Sequence, residues 1–373
     1  MNRSAGPRVF VLDAPLGVPK EVRLLPAGEH AGMLTTAAPG DWPLLAAALR
    51  ARGAAAVLVT ADAAAPDERR HWLDAVHARR WMAPQAGGDI DGDRLPTAWH
   101  AQLTQGHMPA DAALLAWPAL PLLSWGDQPG WQSTPPVLAR QTMVPPLGLY
   151  AIVDNAAALR SVLKAGVRTV QLRVKRPVDA DAAWNEALRE TVHNSLAAAD
   201  GHGARLFIND HWRLAVELGA RAVHLGQEDL LALDDAGHAE FRASGLGLGV
   251  SSHAVWELCR ARSLTPQYIA CGPVWPTTTK DMPWRPQGLD NLAWWCRVAD
   301  APVVAIGGIL TPEQVRQTAA AGASGVCVLR GLGSDPRLTV AALQQAFEQG
   351  RQDAQARAGQ PVGPLHPTLD SAA

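Results

Sequence analysis

From residue 148 onward the chain repeats one pattern eight times, a short apolar run followed by a longer stretch whose apolar residues return at helical spacing. The runs are GLYAIVD (148–154), TVQLRVK (169–175), RLFIND (205–210), AVHLGQED (222–229), LGLGVSSH (246–253), YIACGPV (268–274), PVVAIGG (302–308) and GVCVLRG (325–331). Eight strands alternating with helices over roughly 200 residues meet the lower size limit of a (β/α)8 TIM barrel. The polar residues of interest fall at the C-terminal ends of these runs, the face on which such barrels gather their chemistry. A doubly wound open sheet is the rival α/β arrangement, but motifs following so many strands would not converge there.

The remainder of the 373 residues divides around this barrel, expected over 147–351. Residues 1–135 read as a smaller α/β module. Its apolar runs are RVFVLD (8–13) and AAAVLVT (54–60), with a helical candidate over 42–52. A glycine-rich turn at 87–93 leads into two helices ending near Trp117. Residues 136–146, rich in proline and small polar side chains, read as a linker, and 352–373 as a disordered tail.

A formal net charge of −2 gives no bulk attraction to nucleic acid or to membranes. No apolar run reaches the ~18 residues of a membrane span, and the N-terminus lacks a signal peptide's apolar region. A cytoplasmic location is the expectation. Cys259, Cys271, Cys296 and Cys327 have no metal-ligand spacing, and Cys271 and Cys327 sit in apolar runs as buried free thiols would. Arginine is the habitual cation. The only lysines are Lys20, Lys164, Lys175 and Lys280, so Lys175 and Lys280, which fall in motifs, suggest a need for a compact point charge.

Gln171, Arg173 and Lys175 alternate along one run, which would send all three side chains to one face. Three polar groups aimed into a barrel are costly without a ligand. Asn209 and Asp210 end one run, and Glu228 and Asp229 end the next. Singly, each aspartate reads as a helix cap. As a pair on adjacent strands beside Lys175 they suit a divalent cation of the Mg²⁺ type holding a diphosphate. Ser251, Ser252 and His253 follow GLGLGV without the surroundings of a nucleophilic serine. His224 reads as a packed or ligand-facing histidine. Thr277, Thr279 and Lys280 occupy a long loop, and Gly307 and Gly308 end the seventh run, where such barrels build a phosphate cup.

In this order and spacing, QLRVK, ND, GQED, GVSSH, GPVWPTTTK, MPWRPQGL and IGGI resemble the thiamine-phosphate synthase family over about the last 205 residues. The resemblance implies a transferase of thiamine biosynthesis. It would join hydroxymethylpyrimidine diphosphate to a thiazole phosphate and release diphosphate with Mg²⁺. It places Gln171, Arg173, Lys175, Asn209 and Ser251 on the pyrimidine diphosphate, and Asp210 and Asp229 on Mg²⁺. Lys280 would meet the diphosphate, and Thr277, Thr279 and Gly308 would hold the thiazole phosphate. Lys175, Lys280 and Ser251 would stand closest to the reaction. Arg330 occupies a position where the family usually has serine, and it is expected to bind the same phosphate.

The first module resembles, in AAAVLVT and in residues 87–117, the C-terminal part of the hydroxymethylpyrimidine phosphate kinase fold, of ribokinase type. Its Gly92-Asp93 does not complete that family's anion-binding turn, which implies a catalytically silent module. Two other functions stay open on the sequence. One is a thiazole tautomerase on the same barrel. The other is a non-catalytic thiamine phosphate sensor, with Trp42, Trp72, Trp81, Trp99, Trp117, Trp125 and Trp131 available for an interface. The expected partners are the small phosphorylated substrates, without nucleic acid or membrane, and with homo-oligomerisation open.

Overall fold

The computed structural model describes residues 8–9, 21–24, 32–37, 42–52, 54–61, 71–85, 94–125, 146–278, 283–357, 359, 361, 363 and 365–369. Contacts divide the chain into two units. One comprises Met1–Val137, Ala254–Leu264 and His366–Ala373, and the other Leu138–His253 and Thr265–Leu365.

The first unit is built on a seven-stranded sheet in the order β1 to β7. Its strands are β1 (Arg8–Val9), β2 (Glu21–Leu24), β3 (Gly32–Ala37), β4 (Ala56–Ala61), β5 (His71–Ala75), β6 (Arg79–Ala83) and β7 (Leu122–Leu123). Neighbours run antiparallel except β3 and β4, which are parallel. Helix α1 (Trp42–Arg50) closes one core cluster, packing Trp42, Ala46 and Leu49 with Val57, Val59 and Trp72. The two expected helices form as α2 (Arg94–Thr104) and α3 (Pro109–Leu115), the second with proline in its first turn, where no N–H is lost. Residues 10–13 of the first apolar run, the turn at Gly92-Asp93 and linker residues 136–145 lie outside the described residues.

The tryptophans of this unit serve packing. Trp42, Trp72, Trp99, Trp117 and Trp125 are buried, Trp81 is half-buried against Trp42 and Trp72, and Trp131 lies outside the described residues. The partner-binding tryptophan surface considered from the sequence is therefore not offered by the buried five.

In the second unit eight parallel strands close into a barrel in chain order, the last pairing with the first through Gly325 and Gly148. They are β8 (Gly148–Val153), β9 (Thr169–Leu172), β10 (Arg205–Asn209), β11 (Ala222–Leu225), β12 (Gly247–Ser252), β13 (Tyr268–Cys271), β14 (Val303–Ala305) and β15 (Gly325–Val328). The connecting helices are α4 (Ala156–Lys164), α5 (Ala182–Gly201), α6 (Trp212–Glu217), α7 (Gln227–Leu231), α8 (Asp235–Ala243), α9 (Val255–Arg262), α10 (Gly288–Val298) and α11 (Pro312–Ala320), with α12 (Pro336–Ala356) last. Their starts follow local chemistry. Asn155, Asp181, Asp234 and Thr311 each accept a backbone N–H three residues on.

Strand alternation fills the barrel interior. Tyr150 and Ile152 of β8, Phe207 of β10, Tyr268 and Ala270 of β13, Val304 of β14 and Cys327 of β15 form one buried cluster. Gly249 of β12 is paired in register with Tyr268, and a Cβ there would lie 2.3 Å from the Tyr268 ring. Glycine is what lets the tyrosine ring cross the interior. Cys271 and Cys327 are buried free thiols, as expected.

Two boundaries differ from the sequence reading. Helix α12 continues to Ala356, past the tail expected from residue 352, because glutamine, alanine and arginine keep favouring helix beyond that point. Thr368 and Leu369 are also buried rather than solvated. Helix α9 groups with the first unit although it lies between two barrel strands in the chain. Asp111 of α3 accepts the Trp256 N–H at 2.9 Å, supplying the cap that Ala254 cannot. Burial pushes the Asp111 carboxyl up to about 7, against the pull of the Trp256 and Val255 N–H groups. Arg262 donates to the Leu120 carbonyl at 2.9 Å, and His77 stacks on Trp256.

Candidate active site at the mouth of the barrel

One cavity at the C-terminal ends of the strands is lined by every described residue that the sequence analysis placed at a site: Gln171, Arg173, Lys175, Asn209, Asp210, Asp229, Ser251, Thr277, Gly308 and Arg330. Thr279 and Lys280 lie outside the described residues.

The β9–β11 side carries the charge. Gln171 sits in β9, and the strand stops at Leu172, earlier than the alternation suggested. Arg173 is still held by its N–H to the Val153 carbonyl at 2.7 Å, whereas Lys175 reaches the cavity from the following loop. Its ammonium lies 2.6 Å from Asp210 Oδ2, which brings it back to the neighbouring strand end. Asp210 has φ 64, a left-handed conformation that aspartate tolerates better than most side chains. Asp229 stands in the first turn of α7, not at the end of β11, and its Oδ2 accepts the Gly226 N–H at 2.8 Å.

The Asp229 carboxyl titrates above its usual range. Burial is the largest cause. The Gly226 N–H opposes it, while Asp210 and Glu228, like charges close by, reinforce it. Once protonated, Asp229 can donate that hydrogen to Asp210, which favours the neutral form further. Asn209 is buried, and its Nδ2 has no hydrogen-bond partner among the described residues. Two crowded carboxylates and an unmatched amide form an arrangement that a cation and an oxygen-rich ligand would complete. The donor set fits Mg²⁺, which takes one or two carboxylates and leaves its other positions to water and substrate phosphate. Among the described residues no group of three or more histidine, cysteine or acidic side chains could enclose a metal alone.

The β13–β15 side is made of backbone. Gly307 and Gly308 have φ 93 and 73. A Cβ on Gly308 would come within 2.6 Å of Trp275 Cβ and 2.7 Å of the Trp275 carbonyl. Only glycine fits between the seventh strand end and the loop after the sixth. That loop is stitched on by Val274 N–H to Ile306 O at 2.9 Å and Trp275 N–H to Gly307 O at 3.1 Å. Arg330, exposed at the start of a 3-10 turn (Arg330–Leu332), donates from Nη1 to Thr278 Oγ1 at 3.2 Å. It thus points toward the threonine loop, where the sequence reading wanted a phosphate ligand. His253 stacks face to face on Trp284, 5.2 Å between centroids, and Gln287 donates to the His253 carbonyl.

Sequence reasoning missed a chain of buried hydrogen bonds beneath the cavity. Ser251 Oγ lies 2.8 Å from His224 Nε2, not against its neighbour His253. His224 Nδ1 lies 2.7 Å from Tyr268 OH, which lies 2.7 Å from Tyr150 OH. Gln171 Nε2 donates to Tyr150 OH at 3.2 Å. One signal was available: the whole chain has only two tyrosines, and both lie in barrel strands.

The sequence model of the thiamine monophosphate synthase family matches residues 149–332. A thiamine-phosphate synthase of Neisseria meningitidis serogroup A is 44% identical over 206 residues, which are 54% of this chain and 96% of that protein. One from Escherichia coli O6:H1 is 49% identical over 164 residues, 44% of this chain and 74% of that protein. The solved thiamine phosphate pyrophosphorylase of Pyrococcus furiosus is 26% identical, covers 55% of this chain and 96% of its own, and has a TM-score of 0.47.

Proposed function

The chain belongs to the thiamine monophosphate synthase family, and from that premise we propose the reaction its barrel carries out. It joins 4-amino-2-methyl-5-hydroxymethylpyrimidine diphosphate to 4-methyl-5-(2-phosphoethyl)thiazole, forming thiamine phosphate and releasing diphosphate. The observation that carries the assignment is the convergence of the ten described site residues on one cavity. Residues from seven different strand ends and loops meet there only because the barrel closes.

The substitution breaks the bond between the pyrimidine methylene and the diphosphate oxygen, which leaves with the electron pair. The thiazole nitrogen then supplies the pair for the new C–N bond. Its lone pair is free from the start, so no general base is required. What the reaction needs is positive charge where the diphosphate becomes more negative. Arg173 and Lys175 provide it on one side, with Lys280 assigned to the same task. Gln171, Asn209 and Ser251 hold the pyrimidine. Thr277, Thr279, Gly308 and Arg330 hold the thiazole phosphate, Gly308 through backbone that no side chain obstructs. Asp210 and Asp229 are the residues that would hold Mg²⁺. Bound there, the ion would neutralise diphosphate charge and favour its departure.

The test supplies the purified protein with both phosphorylated precursors, with and without Mg²⁺, and follows thiamine phosphate and diphosphate. The expected result is stoichiometric formation of both, dependent on the metal. A metal-independent isomerisation of a thiazole phosphate carboxylate with no joined product would favour the tautomerase. Tight binding of the precursors by folded protein without turnover would favour the sensor. Residues 1–148 lie outside the family match. For the first unit the proposal is a catalytically silent module, so ATP-dependent phosphorylation of hydroxymethylpyrimidine phosphate is expected to be absent. Among the described residues no helix is long and apolar enough to cross a membrane.

A further inference from the structure

Five side chains from five strands form an unbroken line under the cavity: Gln171, Tyr150, Tyr268, His224 and Ser251. Both ends of the line face the cavity, while the two tyrosines are 1% and 0% exposed. In such a line each hydroxyl has one hydrogen to give. If Gln171 Nε2 donates to Tyr150, then Tyr150 must donate to Tyr268, and Tyr268 to His224 Nδ1. The imidazole then donates from Nε2 to Ser251 Oγ. Reversing either of the two bonds made by Tyr268 leaves one tyrosine hydrogen without a partner in the line, and burying an unmatched polar group is costly.

We propose that Tyr150, Tyr268 and His224 are positioning residues that fix opposite hydrogen-bonding senses at the two ends of this line, so that Gln171 presents an acceptor to the ligand and Ser251 a donor. Gln171 spends an Nε2 hydrogen on Tyr150, which leaves its Oε1 as the acceptor that the amide can present to the cavity. Ser251 accepts from His224, which releases its own hydrogen toward the cavity. The pair selects a ligand that carries a hydrogen-bond donor and an acceptor on one rigid ring, as an aminopyrimidine does with its exocyclic amine and ring nitrogens. The identity of that ligand rests on the synthase reading. The order of the hydrogens rests on Gln171 donating from Nε2 to Tyr150.

The line works only with a neutral imidazole, because an imidazolium would donate at both ends and break the direction. His224 is buried, and both of its ring nitrogens are held in the line, Nδ1 by Tyr268 and Nε2 by Ser251. Gly249 is part of the same device, since its missing side chain is what admits the Tyr268 ring beside His224.

Tyr268→Phe keeps the ring and removes two bonds of the line. The expected outcome is a roughly tenfold rise in KM for the pyrimidine diphosphate with the KM for thiazole phosphate unchanged. In a Ser251→Ala background Tyr268→Phe should have a much smaller effect, because the line then has no donor end to orient. Effects that simply multiply, or equal changes in both KM values, would reduce Tyr268 to a packing residue and overturn the proposal. A second measurement does not depend on the reaction. Nitrogen-15 NMR of histidine-labelled protein, with His224 assigned by its loss in His224→Gln, should show one neutral tautomer protonated at Nε2. A mixture of tautomers, or protonation at Nδ1, would overturn the proposal even in an active enzyme. The expected tautomer in a protein that makes no thiamine phosphate would leave the line standing and remove only the synthase reading.

Discussion

On the β9–β11 side of the cavity the lining groups are charged side chains held by their neighbours, Lys175 by Asp210 and Asp229 by the Gly226 N–H. On the β13–β15 side they are left-handed glycines, a threonine loop and one exposed arginine. The first side concentrates charge and tolerates a strained aspartate and a carboxyl displaced from its normal titration. The second invests in shape, with a turn too close-packed for any Cβ. The difference matches the two phosphate groups of the proposed reaction. A diphosphate that departs needs charge that acts as the bond breaks, whereas a phosphate that only anchors its molecule needs a fitted cup.

Removing charge from the first side should have the largest effect. Asp210→Asn preserves shape and tolerance of the left-handed backbone while ending the ion pair with Lys175. A fall in kcat of about 10²-fold or more is expected, with the KM for thiazole phosphate intact, as when one electrostatic group is removed from an active site. Steady-state kinetics with each substrate varied in turn would show it. On the second side Arg330→Ser should raise the KM for thiazole phosphate roughly tenfold and leave kcat nearly unchanged, the expected loss of one charge-assisted hydrogen bond. An effect of Arg330→Ser on kcat alone would break the division between the two sides.

Gly308→Ala tests the cup by shape. The substitution forces a Cβ against Trp275 at positive φ. It should cost about 1–3 kcal/mol, a melting temperature lower by roughly 5 °C, together with a higher KM for thiazole phosphate. The smallest effect is expected at Asp229. Its carboxyl is raised above the usual range, so the folded state holds that proton more tightly than the unfolded chain. The stabilising contribution is complete below the unfolded value and is lost as pH rises through the folded one. At neutral pH without metal, Asp229→Asn should therefore melt roughly 2 °C higher than the parent. That gap should close on acidification into the carboxylate range, even though activity is lost.

Much of this site was legible in the sequence because barrels put chemistry at strand ends, and most strand ends here announce themselves by a polar residue closing an apolar run, the seventh by paired glycines. Gln171, Asn209, Asp210, Ser251 and Gly308 could be found one run at a time. Lys175 was read onto the strand because alternation in sequence continued after backbone pairing had stopped at Leu172. Asp229 was likewise read onto β11, although the glycine before Gln227 ends the strand and opens α7. The hydrogen-bonded line was not legible. Tyr150 and Tyr268 are 118 residues apart, and nothing local marks them as partners. Only closure of the barrel brings them together. In the first unit Asp111 was hidden for the same reason, since the helix it caps comes 145 residues later.

The most direct test of the division between the two sides is calorimetric titration of each precursor separately, with Mg²⁺ and after its removal. The account requires the affinity for the pyrimidine diphosphate to fall at least tenfold without the metal, while that for the thiazole phosphate stays the same. Equal losses for both precursors, or no loss for either, would contradict it.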